Sequence, residues 1–183
     1  MIQPTVLGRE VELLLVDTAQ EGVGTVGAVT DLMKEKKVDA LIGEPAGKDA
    51  LKGISIAEKA GKPSLLLASA STLTTEDKEY AFRMGLTNSI QGKAVARYAA
   101  GRLKTKNAAL IMDIDQGYSM DLAHIFMNYF SERGEKVVAI AYCRTGDTVF
   151  TTQLSSIMAA KPDVLYLPLS HREVALVCRQ AAD

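Results

Sequence analysis

The chain has no tryptophan, and aromatic residues make up only 5% of it. That scarcity argues against a stacking platform for nucleic-acid bases. Charge of neither sign prevails: 21 Lys and Arg stand against 22 Asp and Glu, a formal net charge of −1. Such a balance gives no reason to expect nucleic acid or an anionic membrane surface as partner. No apolar stretch approaches the ~20 residues of a membrane-spanning helix. The first ten residues, MIQPTVLGRE, lack a basic region followed by an apolar core, so no export signal is read there. Cysteine is scarce too. Cys143 and Cys178 fall on separate elements and make neither a disulfide framework nor a zinc site. Both are read as small buried apolar residues, with a single disulfide as the alternative. The cysteines therefore do not set the compartment.

What the chain does have is a series of short apolar runs. They are Val11–Asp17, Val38–Glu44, Ser64–Ser71, Ala108–Asp115, Lys136–Cys143 and Asp163–Ser170. Each stops at a polar or small-residue loop and gives way to a helix-like segment. Strands buried on both faces read as continuous apolar runs. Strand and helix in strict turn mean parallel sheets covered by helices. The helix pattern is clearest over Met120–Arg133, where Leu122, Ile125, Phe126, Tyr129 and Phe130 share a face before Gly134. Further helices are expected around Val26–Met33, Leu51–Ala60, Ile90–Leu103, Leu154–Met158 and Val174–Cys178. At 183 residues there is room for one domain or two small ones. Phe82–Gly92, with two glycines among turn residues, is the candidate link. In such folds ligands bind outside the carboxyl ends of the strands, so function is sought in those loops.

Several motifs suggest chemistry and are weighed against plainer readings. Gly22, Gly24 and Gly27 spell GxGxxG after a strand, with Glu44 near the end of the next. A dinucleotide fingerprint starts almost as its strand ends, but four residues separate Asp17 from Gly22 here. The glycines are read instead as lying in the first helical turns, letting that helix approach the sheet. Gly43–Asp49 pairs Gly with Lys, but a P-loop needs four residues between its glycines and Ser or Thr after Lys. Asp113 and Asp115 form DxD at a strand end and look like the first motif of haloacid-dehalogenase-type phosphatases. Gln116-Gly117 follows them, and loop-capping carboxylates are the plainer reading. His124 lies inside a helix with no acidic pair or Cys at ligand spacing. His171 follows a strand end beside Ser170, where a ligand contact is one reading, weighed against the plainer one of an ordinary loop residue. No arrangement of nucleophile, base and orienting acid emerges, so no catalytic residue and no metal ligand is assigned.

The ordered set of segments resembles the leucine/isoleucine/valine-binding proteins, the type I periplasmic solute-binding components of ABC transporters. The matching segments are VLGREVELLLVDTAQ, VDALIGEPAG, GKPSLLLASAS, FRMGLTNSIQG, DQGYSMDLAHIF and Thr145–Ala181, with GDT-x-F and KPDV inside the last. The resemblance covers nearly the whole chain. It implies an α/β fold of parallel sheets flanked by helices, in two Rossmann-like lobes, both incomplete. Residues 1–87 would be part of lobe 1 and 88–183 part of lobe 2.

The same resemblance implies the binding residues. The loop that offers hydroxyl and N–H groups to a ligand carboxylate matches Pro45–Lys48, with Gly47 where Ser is common. The next such loop matches Ser69, Ala70 and Ser71. Asn88 matches an Asp that pairs with the ligand ammonium, and Tyr118 an aromatic that packs on the ligand. A second aromatic position falls at Ser170 or His171. Asn supplies no charge for an ammonium, which puts a plain α-amino acid in doubt.

The implied function is capture of a small carboxylated solute in a cleft between lobes, without catalysis and without a cofactor. The implied partner is an ABC permease, and the place periplasmic or anchored at the cell surface. Self-association is one way to cover the exposed sheet edges of incomplete lobes. Two other readings stay open: a cytoplasmic amide-sensing regulator of the same fold, and a nicotinamide-dependent oxidoreductase fragment built on Gly22–Gly27.

Overall fold

The computed structural model of the chain describes residues 5–17, 23–43, 50–67 and 75–182. Two compact units emerge. Among the described residues, the first ends at Met84 and the second begins at Gly85.

The first unit opens with a two-residue hairpin, β1 (Thr5–Val6) against β2 (Arg9–Glu10). Helix α1 (Val23–Thr30) continues into a π-helical turn, Asp31–Glu35. Then follow β3 (Leu41–Gly43), α2 (Ala50–Lys59), β4 (Ser64–Leu66) and β5 (Ala81–Arg83). The strands make a parallel sheet in the order β3-β4-β5. Val29 and Met33 pack on Ala57 of α2, and Ile54 packs on Leu66 and Ala81. Gly61, with φ of 64°, ends α2 in the left-handed conformation that glycine adopts without a Cβ clash.

The second unit is larger. Helix α3 (Asn88–Arg97) also continues into a π-helical turn, Tyr98–Arg102. After it come β6 (Asn107–Asp113), α4 (Gly117–Glu132), β7 (Lys136–Cys143), α5 (Thr151–Ala159), β8 (Val164–Tyr166) and α6 (His171–Ala182). The sheet is parallel, in the order β7-β6-β8. Strand β6 runs down the middle and buries both faces. Ala108, Leu110 and Met112 point to α3 and α4, where they meet Ala96, Ala123, Phe126 and Phe130. Ala109 and Ile111 point to α5 and α6, where they meet Leu154, Ile157 and Val177. Period-two alternation with apolar residues on both faces is the reason this run looked continuous in the sequence. Asp163 ties the strand starts together: its carboxylate accepts the N–H groups of Lys106 and Asn107, each at 2.8 Å. Those N–H groups, Asn107 first, hold the Asp163 carboxyl below its ordinary range.

Three sequence expectations need correction. Val11–Asp17 forms no strand; it is exposed throughout, with Leu13 at 71% and Leu15 at 85%. An apolar run becomes a strand only beside a neighbour that completes its hydrogen bonds, and none of the described strands pairs with it. Gly24 and Gly27 do lie in α1, but both are exposed and a Cβ on Gly27 would meet nothing within 4 Å. At those positions the helix does not use them to approach the sheet. Phe82 and Arg83 belong to β5 and residues 88–92 to α3, so only residues 84–87 connect the two.

The glycine that packing does require is Gly92. A Cβ there would sit 2.6 Å from Ile125 Cγ2 and 3.3 Å from the Leu122 carbonyl oxygen. So α3 and α4 approach each other over a missing side chain. In Gly92→Ala, alanine improves helix propensity by about 1 kcal/mol, but overpacking costs about 1–3 kcal/mol. The Leu122 backbone cannot move aside as a side-chain tip does, so the clash should win. Urea unfolding should show a lower midpoint for Gly92→Ala; an equal or higher midpoint would refute this packing account.

Candidate functional site

In the second unit the helices that follow β6 and β8 begin at the carboxyl edge of the sheet, and α3 begins there too. Helix N-termini leave N–H groups unpaired and carry partial positive charge. Of the expected binding residues, Asn88, Tyr118, Ser170 and His171 all fall at these helix starts. Gly47, Ser69, Ala70 and Ser71 lie outside the described residues.

Asn88 is buried, at 6% exposure. It does not cap α3. Thr87 holds the cap: its hydroxyl accepts the Ile90 N–H at 3.2 Å. That frees the Asn88 side chain to reach across to α4, where Nδ2 donates to Asp121 Oδ2 at 2.8 Å. Its Oδ1 is buried without a hydrogen-bond partner. Buried polar atoms almost always find one, so this oxygen marks an unfilled acceptor.

Tyr118 sits in the first turn of α4, half exposed at 44%. Its hydroxyl donates to Gln91 Oε1 at 3.2 Å, and Gln91 Nε2 donates to the Leu86 carbonyl at 3.0 Å. Nearby, Tyr166 ends β8 and stacks on Phe126, with ring centroids 4.5 Å apart. Burial, with Tyr118 as a lesser cause, pushes the Tyr166 hydroxyl up to about 12. Neither Asp121 nor Tyr166 was singled out from the sequence. Asp121 had a signal: it follows Tyr118 by three residues, so the two share a helix face.

Ser170 and Glu173 form a reciprocal cap at the start of α6. Glu173 N–H donates to Ser170 Oγ at 3.4 Å, and Ser170 N–H donates to Glu173 Oε2 at 3.1 Å. The other Glu173 oxygen accepts the Gly146 N–H at 3.1 Å. Thus the Ser170 hydroxyl is engaged in holding its own helix, and His171 projects beside it, exposed.

The DxD pair closes a loop. Asp113, fully buried, accepts the Asp115 N–H at 2.8 Å and the Thr145 hydroxyl at 2.6 Å, while its own N–H donates to Ser119 Oγ at 2.9 Å. Asp115 pairs with Arg144 at 3.1 Å. These carboxylates are loop caps, as the plainer reading had it. Among the described residues no group of three His, Cys, Asp or Glu is placed to hold a metal, and His124 is exposed.

The cysteines divide. Both are free; Cys143 is buried as expected, but Cys178 is exposed, because it follows Val177 onto the outer face of α6.

With the geometry in place, comparison with known proteins identifies the class. A family model described as periplasmic binding protein matches residues 3–183, and the chain belongs to that family. It has the type I periplasmic binding protein fold. A leucine-binding protein, LivK, of Thermotoga maritima is 35% identical, with a TM-score of 0.86 over 98% of this chain and 51% of that one. LivJ of Streptococcus pneumoniae, solved with isoleucine, is 24% identical, with a TM-score of 0.85 over 96% of this chain and 49% of that one. A solute-binding protein of Rhodopseudomonas palustris, solved with 3,4-dihydroxybenzoic acid, is 21% identical, with a TM-score of 0.82 over 97% of this chain and 50% of that one. The chain spans about half the length of these structures. No curated protein matches it.

Two predictions follow from this chemistry. Asn88→Asp removes the Nδ2 donor and sets a second carboxylate against Asp121. The variant should lose about 1–3 kcal/mol at pH 7. Like-charged carboxylates hold a shared proton more tightly when folded, so this loss should shrink as pH falls and grow as pH rises. Adding Asp121→Asn should restore stability. Equal unfolding midpoints for Asn88→Asp and the parent at pH 7 would remove the Asn88–Asp121 contact from the account.

The second concerns the thiols. Burial, then the charges of Asp113 and Glu173, push the Cys143 thiol up to about 12. At about pH 8 roughly one thiol in ten thousand is then ionised. Iodoacetamide should label Cys178 and spare Cys143 until the protein unfolds. Comparable labelling of both in the folded protein would contradict the placement of Cys143.

Proposed function

We propose that this chain is part of the solute-binding component of an ABC importer of the branched-chain-amino-acid type. It binds a small carboxylated solute and catalyses no reaction. The observation that carries the reading is the grouping of Asn88, Tyr118 and His171 at the starts of α3, α4 and α6, on the carboxyl edge of one parallel sheet. Family membership and the likeness to LivK and LivJ support it. In this reading Tyr118 packs its ring on the solute, and the Asn88 oxygen accepts from an uncharged N–H or O–H group. Ser170 and His171 border the site. Gly47, Ser69, Ala70 and Ser71 receive the carboxylate from the other lobe, with residues 1–87 and 88–183 as the two lobes. Binding is then coupled to lobe closure.

The place of action is the periplasm or the outer cell surface, and the partner is a membrane permease. Among the described residues no helix is long and apolar enough to cross a membrane itself. The nicotinamide reading has less to stand on, since Gly24 and Gly27 lie within the regular helix α1 instead of a strand-to-helix turn.

Calorimetric titration of the intact protein carrying this chain tests the proposal, using leucine, isoleucine, benzoate and small amides. One of them should bind saturably, and Tyr118→Ala should weaken it at least about tenfold through lost ring contact. Absence of binding to every one of these solutes would overturn the function. Binding that is unchanged in Tyr118→Ala would overturn the site while leaving the function standing.

A further inference from the structure

A groove of about 720 Å³ lies on the second unit, along α3 and its π-helical turn and against the C-terminal part of α4. It runs from Ile90 in the first turn of α3 to Arg102, and neither Asn88 nor Tyr118 lines it. Lys93, Arg97, Arg102 and Arg133 line it, and no lining residue is acidic. None of these cations has an ion-pair partner among the described residues. Glu132, next to Arg133 in the chain, is exposed but does not line the groove.

The floor is apolar. Ala94 and Gly101 keep it low, and a Cβ on Gly101 would meet nothing within 4 Å. Tyr98 and Tyr129 form walls, and the Arg133 guanidinium lies 5.9 Å from the centre of the Tyr129 ring. Ile90 closes one end, exposed at 52%. Cations near helix C-termini have an ordinary explanation, since they offset the helix dipole. That explanation covers Arg97, Arg102 and Arg133. It does not cover Lys93 in mid-helix, nor an open floor walled by tyrosines.

We propose that this groove receives an acidic segment of another protein, with an aliphatic or aromatic side chain on the floor and carboxylates along the cationic rim. From Ile90 to Arg102 the groove runs about 18 Å at the helical rise of 1.5 Å per residue. An extended segment of about five or six residues fills that length. Charge complementarity chooses the occupant: a rim of four cations that lack an ion-pair partner among the described residues, around an apolar floor, matches a segment that is acidic outside and apolar within. A bilayer surface is flat and does not enter a groove. A nucleic acid would meet a chain whose net charge is −1.

The test is fluorescence anisotropy on the full chain with a labelled peptide of glutamate, leucine and phenylalanine. Saturable binding should appear at low salt and weaken as ionic strength rises. The same peptide with lysine for glutamate should not bind. Arg97→Glu with Arg102→Glu should lower affinity at least about tenfold, because two attractions become repulsions. Arg97→Lys with Arg102→Lys should retain most of it, and circular dichroism establishes that each variant is folded. Three results would each overturn the proposal. They are no saturable binding of the acidic peptide, equal binding by the folded charge-reversed variant, or binding of phosphatidylglycerol vesicles or a single-stranded oligonucleotide in place of the peptide.

Discussion

Burial of β6 on both faces is the constraint from which the second unit follows. A strand with Ala108, Leu110 and Met112 on one side and Ala109 and Ile111 on the other cannot leave either side in water. Helices must therefore cover both. Parallel neighbours follow, because each crossover passes through one of those helices. The geometry then brings every strand end and the next helix start to one edge. The loops that join them leave the apolar layers there, and polar groups collect in those loops.

That edge is held by buried carboxylates that are fully employed. Asp113 gathers the Asp115 N–H and the Thr145 hydroxyl, and Glu173 gathers the N–H groups of Gly146 and Ser170. Each ties the loop after one strand to the loop or helix after another. A buried carboxylate is costly unless its oxygens are occupied, and these are occupied by protein. They serve as fasteners of the edge, whereas Asn88 Oδ1 is, among the described residues, a buried acceptor there without a partner. The contrast separates groups that build the edge from a group that still has bonding capacity to offer.

The sequence made β6 and β7 legible because their apolar runs are long enough to have a period. Helix α4 was legible for the same reason: Leu122, Phe126 and Phe130 repeat at four-residue spacing and are buried. Val11–Asp17 was misread because hydrophobicity reports what a segment would bury, whereas strand formation depends on a partner elsewhere in the chain. Which of Thr87 and Asn88 caps α3 was not legible, since both are good caps and only backbone geometry chooses between them. The Asn88–Asp121 bond was out of reach for a related reason. It joins residues 33 apart, and nothing in local sequence specifies which residues of two helices face each other.

One regularity of the fold was hidden from the sequence altogether. Both units end a helix in the same wide turn before a strand. Lys36 N–H reaches the Asp31 carbonyl at 2.9 Å and Val38 N–H reaches Leu32 at 3.1 Å. In the second unit Leu103 N–H reaches Tyr98 at 3.0 Å and Thr105 N–H reaches Ala99 at 3.1 Å. Lys37 and Lys104 occupy the equivalent left-handed position, with φ of 51° and 58°. The segments DLMKEKKV and YAAGRLKT share only that lysine, since the bonds that define the turn are backbone bonds and place little demand on side chains. A left-handed conformation costs an ordinary side chain about 1 kcal/mol or more, yet neither site uses glycine. The recurrence is therefore imposed by what the turn must do. It redirects the chain from the end of a helix onto the amino end of a parallel strand, and it serves the first helix of each unit, whereas α2 and α4 make the same step through Gly61 and Gly134.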